Sequence, residues 1–472
     1  MALFLDKQPS QKTEGGLRKE PSMKPIPKIA TISDAFNYFF SLSPKFGTWT
    51  MSQHERRQRL PRMRLFLEEL GNPHQAYKSF HVAGTKGKGS TAAFLASILK
   101  AAGYRTGRYS SPHVSDPAER IAVFDAKSFE LPPPELLTAL TARIAQLHDS
   151  VPQRPRAWAF PVCMFELLTL FALLYFREVG CQYVVVETGI GGRYDATNII
   201  EPLASVLTPV DYDHTEILGT TLEEIASQKS GIIKPGIPVF CSKQAHEVKT
   251  VFREAASSQN APAYFLDEEA EELSSCLSAD GTTLTLKFRH TASRHCRLAL
   301  LGDFQADNAA LAYVTISKTL PQLHEKTIER GLQETFLPGR MELILTRPPI
   351  VLDGAHTPLS VYRLLDSFKK IFPQKGILIF GSVAGKKPAH MARILAPAFQ
   401  KILISTPGNF KQSHPDALCK IFQQHHAAVY LEKNPSAALQ QALLFAENTL
   451  PVLVTGSFFL VADIRQYLRS LS

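Results

Sequence analysis

The segment Gly84-Thr85-Lys86-Gly87-Lys88-Gly89-Ser90-Thr91 constrains this chain more than any other. It follows a strand-like run, Phe80-His81-Val82-Ala83, and opens a helical pattern with Phe94, Leu95, Ile98, Leu99 and Ala102 on one face. A glycine-rich turn between a strand and a helix lets the backbone curl until successive N–H groups point at one spot. The helix N-terminus adds partial positive charge there, so phosphate is the ligand such a turn suits. Gly84, Thr85, Gly87, Lys88, Gly89, Ser90 and Thr91 are the expected contacts. Lys88 can reach the β- and γ-phosphates, and Ser90 and Thr91 can donate to phosphate or help hold Mg2+. The spacing is not the usual Walker string, because Gly84 stands only three residues before Gly87. The bland alternative is a strand–helix turn carrying two solvated lysines. The flanking strand and helix favour phosphate.

The rest of the chain alternates in the same way. Tyr183 to Val186 is a β-branched run suited to a strand buried on both faces, and Ala204 to Leu207 reads alike. Around Phe336-Leu337-Pro338-Gly339 the pattern breaks. Beyond it come strand-like runs at 350–352, 377–380, 402–404, 428–430 and 452–454, separated by helical patterns such as 364–371 and 418–424. The expected fold is α/β: a phosphate-loop ATPase domain with a mainly parallel sheet over residues 31–337, then a smaller doubly wound, Rossmann-like domain over 338–472. Residues 1–30, rich in Lys, Pro, Ser and Gly, are expected to be a disordered tail. A chain of 472 residues favours two or three domains on length alone.

Four polar segments suit the surroundings of Mg2+-ATP. They are Tyr109-Ser110-Ser111-Pro112-His113 followed by Glu119-Arg120-Ile121, Glu187 to Asn198, Asp211-Tyr212-Asp213-His214-Thr215-Glu216 and Gln228-Lys229-Ser230-Gly231. Glu187 ends a buried strand, where an ionised carboxylate needs a partner. Mg2+, a hard cation, is one candidate, and an ion pair with Arg193 is the other. A lone His214 would read as a hydrogen-bonded core histidine, but two aspartates beside it favour function. Gln305 and Asn308 share a helix face. Arg340 could fork onto phosphate or make an interdomain salt bridge. Asp353 and His356 end the first strand of the second domain, where ligands gather in such folds.

These motifs, running in order from about Leu60 to the C-terminus, resemble the Mur-type amide ligases, and within them folylpolyglutamate synthase and dihydrofolate synthase. The resemblance implies that Ser111, Glu187 and His214 hold one Mg2+ and that Lys229, as a carbamate, holds a second. It implies that Gln305, Asn308, Arg340, Asp353 and His356 contact the nucleotide, Asp353 through the ribose. Lys88, His214 and Lys229 are the implied catalytic residues. The implied reaction joins L-glutamate to a pterin or folate carboxylate through an acyl phosphate, in a monomeric enzyme. Departures from the family pattern are Lys86 in place of Asn, Thr357 in place of Asn, and Gly385-Lys386-Lys387 in place of Asp-Lys-Asp.

Other readings are a Mur-type cell-wall ligase and a non-catalytic nucleotide-binding protein. Only 83 residues precede Gly84, leaving little room for an added sugar-binding domain, and Lys88 and Glu187 are both present. Aromatics at Phe46, Trp49, Trp158, Phe160 and Phe165 could stack on a pterin or simply pack. The net charge of +9 suits anionic substrates, but no basic stripe interleaved with aromatics points to nucleic acid. Phe165 to Phe176 is too short an apolar run to cross a membrane. The six scattered cysteines lack metal spacing and suit reduced core residues, hence a cytoplasmic setting.

Overall fold

A computed structural model describes residues 26–44, 51–125, 132–155, 158–289, 292–408 and 412–471. Its first body is a seven-stranded sheet of β1 (Lys78–Ala83), β2 (Thr106–Tyr109), β3 (Ile121–Phe124), β4 (Tyr183–Glu187), β5 (Ala204–Leu207), β6 (Val239–Cys241) and β7 (Ala263–Phe265). The spatial order is β3-β2-β4-β1-β5-β6-β7, parallel except for β3. β1 and β4 lie side by side at the centre, so their carboxyl ends open onto one edge.

Two apolar layers cover this sheet. The helix Met164–Glu178 fills one face with Leu167, Phe171 and Leu174, and the helices Lys88–Ala101 and Asp303–Thr319 fill the other. A three-stranded antiparallel sheet, β8 (Ala270–Ser278), β9 (Gly281–Phe288) and β10 (Arg294–Leu298), stands beside the second layer. Its outer strand alternates half-buried and exposed residues, so the period is two but the apolar contrast is weak.

The second body is a six-stranded sheet of β11 (Glu342–Thr346), β12 (Pro349–Leu352), β13 (Gly376–Phe380), β14 (Phe399–Ile404), β15 (Val429–Leu431) and β16 (Val452–Thr455). Its order is β11-β12-β16-β13-β14-β15, with only β11 antiparallel. The expected doubly wound architecture is therefore present. The folded body begins earlier than residue 31: Ile29 is buried, and its amide donates to Thr138 Oγ1 at 3.1 Å.

The helix Met164–Glu178 is entered through a buried ion pair. Arg62 Nη2 lies 2.6 Å from Glu166 Oε1, and both side chains are fully buried. The same guanidinium donates to the carbonyls of Phe160 and Trp158 and stacks 3.7 Å from the centre of the Phe160 ring. Glu166 Oε2 accepts the Cys163 amide at 3.0 Å, closing the helix start. Burial alone would raise the Glu166 pKa, but Arg59 and Arg62 outweigh it and hold the carboxyl below its usual range. Removing one partner of such a pair strands the other charge. Arg62→Met is expected to lower the unfolding free energy by about 3–5 kcal/mol in urea at neutral pH. The pair's contribution is full above the unfolded carboxylate pKa of about 4.3 and is lost as pH falls through the lower folded value.

Candidate active site

The glycine-rich turn leaves β1 exactly where β5 holds it. Thr208 N donates to Ala83 O at 2.8 Å, and a Cβ on Gly84 would collide with Thr208 Oγ1. Gly84 and Gly87 adopt φ of +154° and +83°, which only glycine takes without strain. Gly87 caps the helix Lys88–Ala101 and has no side chain to offer, so the first-turn amides lack a side-chain cap. Such orphan donors at a helix N-terminus are an anion site. Thr85 has a different task from the expected phosphate contact. Its hydroxyl exchanges hydrogen bonds with the backbone of Asp211, at 3.0 and 3.1 Å, and ties the turn to the segment after β5. Thr91 Oγ1 is buried with no hydrogen-bond partner among the described residues.

Glu187 emerges from β4 beside this turn. Its Oε2 accepts the Ser111 amide at 3.2 Å, and a Cβ on Gly89 would lie 3.6 Å from the same oxygen. The side chain is buried and has no ion pair within 4.0 Å among the described residues. Burial pushes its pKa up, against the fields of Lys88, Arg340 and Arg108. The alternative partner is excluded, since Arg193 turns outward to the carbonyl of Ser227. A buried carboxylate at a phosphate site with no cation on it fits a divalent ion.

His214 is not brought to that carboxylate. It sits at φ +50°, exposed, with its ring 4.0 Å from Asp213 and 3.8 Å from Glu216. Partial burial lowers its pKa in spite of those two acids. Glu187 and Ser111 are thus adjacent, and among the described residues no hydrogen bond or ion pair joins His214 to Glu187. Among the described residues no three His, Cys, Asp or Glu side chains form a metal-sized cluster. Lys229 is brought in closely: its buried Nζ donates to Gly84 O at 2.8 Å, and Lys88 Nζ reaches the same oxygen at 3.1 Å. Burial, then the nearby Lys88, push the Lys229 pKa well down.

Around it, Asp195 fixes the loop after β4. Its oxygens accept the amides of Gly189, Ile190 and Thr197. Asn198 donates to the carbonyls of Arg193 and Gly231, which locks that loop to the Lys229 segment. Asn308 faces Gly87, where a Cβ would strike its Oδ1, and donates to Gln305 Oε1 at 3.0 Å. Gln305 Nε2 is buried with no partner among the described residues.

From the second body, Arg340 lies 4.1 Å over the Phe458 ring and has no salt bridge among the described residues. Asp353 is committed elsewhere: its two oxygens accept the amides of Met341 and Ala355 at 2.9 and 2.7 Å. That makes it an anchor of the junction in this structure, with one amide on each carboxylate oxygen. His356 Nδ1 pairs with Gly354 O at 2.8 Å, and burial drops its pKa to about 4. Lys386 of the second body acts on Lys86, Asp213, His214 and His356, which places the two bodies face to face across the turn.

Residues 164–316 match the Mur ligase middle domain, and residues 339–458 match the Mur ligase glutamate ligase domain. The dihydrofolate synthase/folylpolyglutamate synthase of Bacillus subtilis is 32% identical over 87% of this chain and 95% of its own length. The folylpolyglutamate synthase of Lacticaseibacillus casei is 33% identical over 86% of this chain and 94% of its own. The chain belongs to the folylpolyglutamate synthase/dihydrofolate synthase family. Among solved structures, folylpolyglutamate synthase (FPGS) from Thermotoga maritima is 28% identical with a TM-score of 0.79, covering 93% of this chain and 97% of that one. An FPGS–AMPPCP–folate complex is 30% identical with a TM-score of 0.76, covering 93% and 99%.

Against the family pattern, Thr357 has a plain cause: it caps the helix Pro358–Ile371 in a capping box with Ser360. Lys86 lies 3.8 Å from Asp213, which offsets part of its added charge. Nothing in the structure explains Gly385-Lys386-Lys387 beyond the positive φ of Gly385. Of the candidate stacking aromatics, Phe46 and Trp49 lie outside the described residues. Phe160 is under Arg62 and Phe165 packs on Tyr109, which is core packing. Trp158 donates to Gln58.

Two residues near the site carry no motif in the sequence, Arg465 and Arg108, and Glu119 stands in the polar segment that follows Ser111. Arg465, buried, pairs with Glu342 at 2.9 Å and donates to Ser115 at 3.3 Å across the two bodies. Glu119 accepts the amides of Val114, Ser115 and Asp116, fixing the loop that carries Ser111. Arg108 lies on β2 beside Glu187. Arg465 and Arg108 sit amid ordinary helix and strand sequence, and only the fold reveals their surroundings. Gly87→Ala is expected to cost about 1–2 kcal/mol through its left-handed φ and to displace Asn308. The nucleotide-induced rise in Tm should then shrink sharply, measured by thermal shift with ADP.

Proposed function

We propose that this chain is an ATP-dependent ligase that couples L-glutamate to the carboxylate of a pterin or folate acceptor. The observation that carries the reading is the uncapped glycine turn at the junction of two α/β bodies, with Lys88, Glu187 and Arg340 converging on it. The AMPPCP–folate complex of a 30% identical relative supports the substrate class.

In this reading the acceptor carboxylate attacks the terminal phosphoryl group of ATP, giving an acyl phosphate and ADP. The glutamate amine then attacks the acyl carbon and phosphate leaves. The chain's part is positioning and charge neutralisation. Turn amides and Lys88 hold the phosphates, and Arg340 approaches from the second body as it closes. Glu187 and Ser111 are the residues that would hold Mg2+, which supplies charge neutralisation on the phosphate oxygens. His214 is the third residue that would hold it.

Lys229 is set up for carbamylation. Its depressed pKa favours the neutral amine, which can add to CO2 with loss of one proton and so become an oxygen donor for a second Mg2+. The protein acts on small molecules, and no helix among the described residues is long and apolar enough to cross a membrane.

Purified protein with ATP and glutamate is expected to release phosphate only when dihydropteroate or tetrahydrofolate is added. Phosphate release independent of the acceptor would overturn the assignment. Lys88→Ala is expected to lower kcat by about a hundredfold or more, the cost of one lost charge-stabilising contact.

A further inference from the structure

Arg108 is a buried cation that the folded chain leaves without a partner. It is 6% exposed. Its Nε has no hydrogen-bond acceptor, and no carboxylate lies within 4.0 Å of it, among the described residues. The Phe124 ring lies 5.2 Å from its guanidinium carbon, and Glu187 and Glu119 act on it only through space. An unpaired guanidinium is expensive to bury and calls for an explanation.

Its direction follows from the strand. On β2 the neighbouring Gly107 faces the helix Met164–Glu178, since a Cβ there would meet the Phe176 ring at 2.6 Å. Arg108 therefore points to the other face, where the phosphate turn and its helix lie. It pairs in register with Val185, two residues before Glu187 on the same face of β4. The cleft so formed is lined by Gly89, Arg108, Ser111, Glu119, Glu187 and Arg340.

The acids of this cleft do not satisfy its cations. Glu119 is spent on three backbone amides, and Glu187 holds the Ser111 amide. Arg340 donates only to the adjacent Gly339 carbonyl, at 3.3 Å. Burial is the largest influence on both arginines and pushes both pKa values down, as expected of cations waiting for an anion.

We propose that Arg108 and Arg340 form an oxyanion-binding site beside Glu187 and Ser111, which takes a phosphoryl or carboxylate group of a ligand. The proposal rests on the ligase reading for the identity of those ligands. A planar guanidinium binds either group through two parallel hydrogen bonds. The site's adjacency to the phosphate turn makes the phosphoryl group the first candidate, and the carboxylate of the incoming amino acid is the second source of the same chemistry.

Arg108→Met separates a binding role from a structural one. Methionine fills the same space without charge, so the unliganded Tm is expected to equal or exceed that of the wild type. Activity should fall by about tenfold or more in kcat. If the anion is phosphoryl, inorganic phosphate raises the Tm of the wild type but not of Arg108→Met, and KM for glutamate is unchanged. If it is the amino-acid carboxylate, KM for glutamate rises instead. Arg108→Lys, which keeps the charge, should retain more activity than Arg108→Met. The proposal is overturned if Arg108→Met keeps wild-type kcat, KM and phosphate response, or if its unliganded Tm drops and activity falls only in step with that loss. Absence of acceptor-dependent phosphate release by the wild type would defeat the ligase reading alone, since the phosphate thermal shift stands apart from turnover.

Discussion

Two ammonium groups share one carbonyl oxygen in this protein, and the site is built around that arrangement. Lys88 and Lys229 both donate to Gly84 O, at 3.1 and 2.8 Å. Gly84 is held there because β1 and β5 leave it no room for a side chain. Lys229 is buried and Lys88 half-buried, so burial and then the Lys88 charge press Lys229 toward its neutral form. An electropositive turn with uncapped amides is incomplete without an anion. The neighbouring buried Glu187 is, in the same way, incomplete without a cation. A metal-bound polyphosphate answers both needs at once.

The two-body architecture extends this logic. Carboxyl ends of β1, β2, β4 and β5 deliver the turn, Ser111, Glu187 and the 211–216 segment to one edge, while the second body brings Arg340, His356 and Lys386 over it. The bodies are fastened by the Glu342–Arg465–Ser115 link and by Lys370 on Asp303. The first of these ends on the loop that holds Ser111, so any shift of the second body is felt at the phosphate site.

The local parts of this account were legible in the sequence. A β-branched run such as Tyr183–Glu187 can only be a doubly buried strand, and a glycine turn between strand and helix declares its own geometry. Five strands of the second body followed from their apolar runs with errors of one to three residues, while the antiparallel β11 did not. The antiparallel sheet over Ala270–Leu298 did not show itself, because its weakly alternating residues carry little apolar contrast. Long-range facts were equally hidden. Nothing near Arg108 in the chain says that its guanidinium will go unpaired, or that Thr85 will be spent on Asp211. The pairing of the His214 ring with Asp213 and Glu216 depends on the path of the chain after β5, which no local pattern encodes.

The most direct measurement is a crystal structure grown with Mg2+ and a non-hydrolysable ATP analogue. The account predicts the terminal phosphate within about 3 Å of the amides of residues 87–90 and of Lys88 Nζ, with Mg2+ on Glu187. A nucleotide bound elsewhere, with the turn empty and Glu187 still bare, would contradict it.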